Sequence, residues 1–487
     1  MKHIKWLAAA LLAMALTGCA MEAPAAETTQ PPVVEKLTRV MTAEDIGRLD
    51  TEYPQLKEVN FGGSTCYEAI EEYRLSHPEV RVTYTVSVGD RAVVSSTREL
   101  TLKPGAFDYE TLKRNLKYLP ELQSLCFADM ELTAEQFAAL TEQYPDIELT
   151  YSVAIGNEVF GKDTGSLDLS WVEPEQVQTV ASRLPLLPEL TQVEMMEGET
   201  ARLGIDDVVT LQESAPQAVF HYTFDLFGKT VTTTDAEIYF QYQRIGDSGE
   251  EELRRALKLL RGTRVVLDSC HFSDEVLAQV REDYRDNAKV VWRVRFGKDG
   301  SCLTDREVIR AVYGLTDSNS KKLSYCEDAR FLDFGHDEYL TDAGFVAYMP
   351  RLEAVILSGS MVKDLTPFEN CKELVFLEVA YCGYLEDLSP LANCPKLSKV
   401  NVSFTKVSDL SPLDELPMDT LCATGSKVKE EERTRFREKH PDCQVQFTGD
   451  NPYGNPWRYV DGGYTPNEYY GMLRQVFDYD HAKNTTW

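Results

Sequence analysis

From residue 329 onward the chain repeats itself every 21–23 residues, and no other feature restricts its folding as strongly. Coils begin at Ala329, Leu352, Leu374, Leu397 and Met418. Their shared skeleton places apolar residues at Leu352, Val355, Leu357, Val362, Leu365 and Phe368, and again at Leu397, Val400, Val402, Val407, Leu410 and Leu413. A coil of this length has too little apolar surface to fold alone. Stacking must supply the core, with one short strand per coil joining a continuous parallel sheet. The stretch KEEERTRFREKHPDCQVQF (429–447) supplies a helix and a strand to close the last apolar face.

Upstream, a longer unit recurs four times, opening at LKEVNF (56), LQSLCF (122), TQVEMM (191) and TRVVLD (263), at steps of about 66 to 73 residues. HPEVRVTYTVSVG (77–89) reappears 67 positions later as YPDIELTYSVAIG (144–156). Each unit reads as strand, helix, long strand, glycine turn, strand and helix. Alternation in Val82, Tyr84, Val86 and Val88 marks a half-buried strand, and the spacing of Leu112, Leu116 and Leu119 marks an amphipathic helix. TAED (42–45) is a capping-box start for a helix reaching Tyr53. The expected fold class is thus α/β: a solenoid with a parallel sheet (329–447), preceded by four β-α-β-β-α units with hairpin insertions (37–328).

The short coils resemble the 22-residue leucine-rich repeat of bacterial internalin-type proteins, including its D-L-x-P-L segment at 364–368, 387–391 and 409–413. Ser360, Cys382 and Thr405 stand where that family commonly has asparagine, and the coil at Leu374 carries an extra residue. The resemblance implies that residues beside the central leucines face the concave, partner-binding side. Carried over, this gives Phe376, Glu378, Tyr381, Lys399, Asn401 and Phe404 as the candidate binding surface. Exposed rings with a polar rim suit protein partners and can stack on sugars. The alternative is that a hairpin or the C-terminal tail covers them.

The first nineteen residues, MKHIKWLAAALLAMALTGC, join a basic start to a short apolar run, the grammar of a secretory signal too brief to span a bilayer. LTGC (16–19) resembles a bacterial lipobox, which implies cleavage after residue 18 and diacylglycerol on Cys19. Residues 19–36 then read as the lipidated cysteine and a flexible tether. The longer units resemble surface lipoproteins of anaerobic gut Firmicutes. With 50 basic against 79 acidic residues, a net charge of −29 disfavours nucleic acid and anionic membrane surfaces.

Eleven cysteines include Cys19, and no Cys-x-x-Cys pair is present. Cys66, Cys126, Cys270 and Cys422 read as small buried hydrophobes. Cys371 and Cys394 hold matching places in successive coils, as buried thiols or as a disulfide. His77 and His440 each precede proline after a helix, where the second unit has Tyr144, so they punctuate helix ends. His221, His271, His336 and His481 share no motif, and no nucleophile-elbow, zinc-protease or phosphate-loop signature occurs. No catalytic residue, metal ligand or cofactor is therefore expected.

Residues 448–487 depart from the repeat. Proline, glycine and asparagine give way at TPNE (465–468) to a helix start with proline at its first position, followed by the apolar stripe Tyr470, Leu473, Val476 and Phe477. With Trp457, this segment either docks on the end of the solenoid or serves as a recognition segment. The functional expectation is a non-catalytic bacterial protein, lipid-anchored outside the cytoplasm, that binds a surface protein or glycan. A structural envelope scaffold is the alternative; a surface hydrolase would need acids and histidines from distant units to converge.

Overall fold

The computed structural model describes residues 33–89, 91–311, 313–460 and 465–480. The expected signal peptide, Cys19 and most of the expected tether lie outside these residues, as does His481. The described chain is α/β and rich in parallel strands. It divides into two compact units, Met1–Ala154 and Ile155–Trp487.

In the first unit, strands Lys36–Thr38, Glu58–Asn60 and Arg81–Thr83 pair in parallel, in sequence order. A second parallel set follows at Glu99–Leu102, Ser124–Phe127 and Glu148–Ile155. Between the two sets, Thr85–Val88 and Arg91–Val94 form the expected hairpin. The capping box at Thr42 is present, because its hydroxyl accepts from the Asp45 amide. The expected single helix is instead two short ones, Ala43–Ile46 and Leu49–Glu52, separated at Gly47 and Arg48. His77 and Tyr144 adopt the same C-cap backbone, φ −126° in both, which is the punctuation role expected of that position.

The second unit repeats the plan twice. Parallel strands Ser166–Asp168, Gln192–Glu194 and Val219–His221 are followed by the hairpin Thr223–Leu226 with Lys229–Thr232. Strands Glu237–Gln241, Arg264–Asp268 and Lys289–Phe296 follow, the last paired antiparallel with Gly300–Leu303. The acidic run expected to start a helix does so, with Glu250, Glu251 and Glu252 in the first turn of Glu250–Leu259.

The remainder is a seven-stranded parallel sheet in strict sequence order: Val308–Arg310, Phe331–Asp333, Ala354–Ile356, Phe376–Glu378, Lys399–Asn401, Thr420–Cys422 and Gln444–Gln446. It starts one coil earlier than the point where the sequence period shortens. The fourth long unit's closing strand is the ladder's first member. All twelve skeleton residues named above are at most 1% exposed, so the leucine pattern builds the interior between coils. In each D-L-x-P-L segment the aspartate accepts the amide two residues on, at 2.8–2.9 Å, for Asp364, Asp387 and Asp409. This Asx turn starts the one-turn helix on the back of the coil. At the positions where asparagine is common, Ser360 bonds Cys382 (3.4 Å) and Thr405 bonds the Val402 carbonyl (2.6 Å), all buried. The helix Glu430–Lys439 and strand Gln444–Gln446 add the seventh rung.

All ten described cysteines are free thiols. Cys371 and Cys394 are therefore not joined, which corrects the disulfide alternative. Burial pushes their pKa values up to about 12 and about 11. Cys270 and Cys422 are buried as expected, whereas Cys66 and Cys126 are only half-buried.

Candidate functional site

Alternate residues of each strand in the seven-stranded sheet point away from the coil interior and form its outer face. Across that face lie the tail segments 452–460 and 465–479, and face and tail share one apolar cluster. Phe331, Ala354, Ile356, Phe376 and Cys422 come from the strands; Trp457, Tyr470, Leu473 and Phe477 come from the tail. The expectation that Phe376 is an exposed ring is corrected by this contact. It is 1% exposed, with Trp457 stacked on it at 4.5 Å and Tyr469 beside it at 5.3 Å.

Glu378 is likewise inside. Its carboxylate accepts from Arg458 (2.6 and 3.1 Å), from Ser358 Oγ (2.9 Å) and from the indole N–H of Trp457. A fully buried carboxylate survives only when its lone pairs are filled in this way. Asn401, also fully buried, donates to the Pro452 carbonyl at 2.9 Å. Lys399 pairs with Asp419 and lies 5.7 Å from the Tyr469 ring. At the other end of the tail, Tyr479 donates to Asp333 (2.8 Å) and Arg310 lies over its ring. Burial pushes the Tyr479 and Tyr453 phenols up, the latter to about 12.

The tail helix is Glu468–Val476, capped by Asn467 accepting from the Tyr470 amide at 2.8 Å. Pro466 therefore precedes the cap instead of opening the helix, a correction to the sequence expectation. Of the two readings for this segment, docking is the one present, but on the sheet face and not on the end of the coil stack.

What stays exposed is the edge immediately after the strands. Tyr381 is 45% exposed and stacks on Phe404 at 4.6 Å, with ring planes 3° apart. Both residues have left-handed backbone, φ +61° and +56°. The same position in the other coils is also left-handed: Tyr313, His336, Gly359 and Gly425. Tyr313 and His336 form a second stacked pair at 5.6 Å. Sequence reasoning found Tyr381 and Phe404 but missed Tyr313 and His336. Their only signal was a spacing of 23 residues, one coil, with His336 in the first recognised coil and Tyr313 just upstream of it.

A third outer-face constellation lies at Asp268, which is fully buried under Arg293 (2.7 and 2.8 Å) and the Tyr239 hydroxyl (2.8 Å). The Arg293 hydrogen bonds hold its pKa down, at about 2. Glu194 and His221 meet at 2.7 Å on neighbouring strands. Among the described residues no group of three or more His, Cys, Asp or Glu side chains is placed to hold a metal ion. No described helix is long and apolar enough to cross a membrane.

No family model and no curated protein matches the chain. Among solved structures, an internalin (InlF) of Listeria monocytogenes is 15% identical over 78% of this chain and 91% of its own, with a TM-score of 0.24. Internalin C2 of the same species is 14% identical over 58% of this chain and 87% of its own, TM-score 0.24. A leucine-rich-repeat protein of Leptospira interrogans is 13% identical over 81% and 90%, TM-score 0.25. Superpositions this partial carry no argument about activity or partner.

Proposed function

We propose that this protein is a non-catalytic surface recognition protein, built on a leucine-rich-repeat-type solenoid and anchored outside the cytoplasm through a lipid on Cys19. The observation that carries the reading is the ring-bearing edge. Exposed Tyr313, Tyr381 and Tyr384 rise from coils whose interiors are tightly packed and whose sheet face is already filled by the tail. Rigid exposed aromatics on a fixed scaffold provide contact area at little entropic cost. Glu378 and Asn401 are held by internal partners and Phe376 lies under Trp457, so this edge and not those three residues is the surface offered to a protein or glycan.

The test uses fluorescently labelled chain beginning at Val33, titrated onto bacterial and epithelial cells with unlabelled chain as competitor. Saturable binding weakened by His336→Ala/Tyr381→Ala supports recognition through the edge. Non-saturable binding together with self-association in sedimentation would establish an envelope scaffold instead. Anchoring is tested separately: Cys19→Ala should move the full chain from the detergent to the aqueous phase in a Triton X-114 partition.

A further inference from the structure

Two thiols touch where the last long unit meets the first coil of the seven-stranded sheet. Cys302 lies on the hairpin strand Gly300–Leu303, and Cys326 closes the one-turn helix Lys321–Tyr325. Their sulfurs are 3.8 Å apart, and both residues are buried free thiols. Cysteines elsewhere in the coils turn to oxygen atoms instead. Cys371 and Cys394 hydrogen-bond the Met349 and Phe368 carbonyls, at 4.0 and 3.3 Å, and Cys382 bonds the Leu357 carbonyl at 3.4 Å. Matching places in successive coils do not aim sulfurs at each other; a hairpin packed on a coil does.

The contact is anchored on both sides. Trp292 sits on Lys289–Phe296, the strand that pairs with Gly300–Leu303. Its ring lies 5.6 Å from that of Tyr325, the neighbour of Cys326 in the chain. Arg281 covers the same indole at 4.8 Å and donates to the Tyr325 carbonyl at 2.8 Å. A disulfide needs ~2.05 Å between its sulfurs, which leaves each of these about 1 Å to travel. Approach from outside is to Cys302, which lines a cavity of about 630 Å³ with Arg264, Arg293 and Arg306. Cys326 is completely buried.

We propose that Cys302 and Cys326 are a redox pair, which an external disulfide converts into a cross-link between the last long unit and the leucine-rich coils. The Cys302 thiolate attacks one sulfur of the external disulfide, forming a mixed disulfide and releasing one thiolate. The Cys326 thiolate then attacks the Cys302 sulfur and releases the other. The two protons of the cysteines end on the two released thiols, and the two electrons the cysteines give up reduce the external disulfide. The hydrogen bond with Cys302 and burial raise the Cys326 pKa, so Cys326 reacts second, and the positive charge of Arg281 favours its thiolate at that step. The cross-link joins positions 24 residues apart and restricts the unfolded chain, so the oxidised protein is the more stable form. None of this depends on what the aromatic edge binds.

The test keeps the protein folded while it is oxidised. Full-length protein in detergent, reduced and freed of reductant, is incubated with oxidised glutathione, then alkylated in denaturant and digested with trypsin. Cleavage leaves the two cysteines in separate peptides, DGSCLTDR (299–306) and LSYCEDAR (323–330). The expected product is this pair joined, about 2 Da lighter than the two free peptides together. The urea midpoint of the oxidised protein should rise, and dithiothreitol should return it to the reduced value. Cys326→Ala should stop at the mixed disulfide, with glutathione on Cys302, and Cys302→Ala should leave Cys326 unmodified. If either variant fails to fold, the wild-type peptide map and midpoint carry the test. Both peptides recovered unlinked and alkylated, linkage that appears only after urea is added, or Cys302 joined to a different cysteine would each overturn the pair. Glutathione on Cys326 in Cys302→Ala, with none on Cys302 in Cys326→Ala, would overturn the order of attack.

Discussion

Arg458 grips Glu378 with two hydrogen bonds across 80 residues of sequence, and the carboxylate it holds is completely buried. Removing the cation leaves a buried charge with unfilled lone pairs. Arg458→Ala is expected to lower stability by about 3–5 kcal/mol. Adding Glu378→Ala should cost much less than the sum of the two single changes, because the partners share one interaction. Urea unfolding of the four members of the cycle gives the coupling; additive effects would mean that the tail rests on the sheet without depending on this pair.

Phe376 and Tyr381 lie five residues apart and should behave in opposite ways. Phe376 is enclosed by Trp457 and Tyr469, so Phe376→Ala should cost about 3–5 kcal/mol. Tyr381 is half-exposed, and Tyr381→Ala should change stability by under about 1 kcal/mol. Thermal unfolding of each variant separates them. Equal losses would contradict the division between a filled face and a free edge.

Asp337 gives the protein an unusual acid response. It occupies the inner turn position of its coil, 1% exposed; Oδ1 accepts from the Leu315 amide (2.8 Å) and Oδ2 has no partner. Burial pushes its pKa up to about 6, from 3.8 in an unstructured chain. Folding therefore favours the protonated form. The charged form costs about 3 kcal/mol at pH 7, and that cost is relieved as pH falls through 6 toward 4. Asp268 works in the opposite sense. Its folded pKa, at about 2, contributes stability that is fully present above about pH 4 and is lost as pH falls from there through the folded value. Urea midpoints should thus rise between pH 7 and 4.5, and Asp337→Asn should flatten the rise by stabilising the neutral-pH protein.

Gly262 and Gly425 both have left-handed backbone, φ +71° and +66°, but only Gly425 is closely overlain, by the Phe404 ring. Alanine should cost about 1 kcal/mol at Gly262 from backbone strain alone. At Gly425 it should cost more, and it should also shift the Tyr381–Phe404 stack, visible in the ring-proton NMR shifts of those two residues.

Much of this architecture was legible in the sequence because burial enforces periodicity. Leu352, Val355 and Leu357 must all face the coil interior, and the long units repeat strand, turn and hairpin in fixed order. The candidate surface was harder to read. Position within a coil tells which residues face outward, not whether another segment lies on them, and so Phe376, Glu378 and Asn401 resembled a binding surface. Their partners, Trp457, Arg458 and Pro452, sit in a segment with no repeat to align it. The left-handed rungs escaped notice for another reason. Tyrosine, histidine, phenylalanine and glycine share no property that a hydrophobic pattern records; what they share is a backbone angle.

The tail also imposes an order on assembly. The tail segments 452–460 and 465–479 follow in the chain every strand they cover, and they reach back as far as Asp333 through Tyr479. A chain emerging from its amino end can wind each coil as it appears, and Arg310 is already there to pair with Asp333, yet Glu378 must wait for its cation, Arg458, until the last segment arrives. A polypeptide cut short after residue 447 would keep its coils and present the unpaired Glu378 carboxylate beside the bare Phe331 and Phe376 rings, a surface by which an incomplete copy is distinguishable from a finished one.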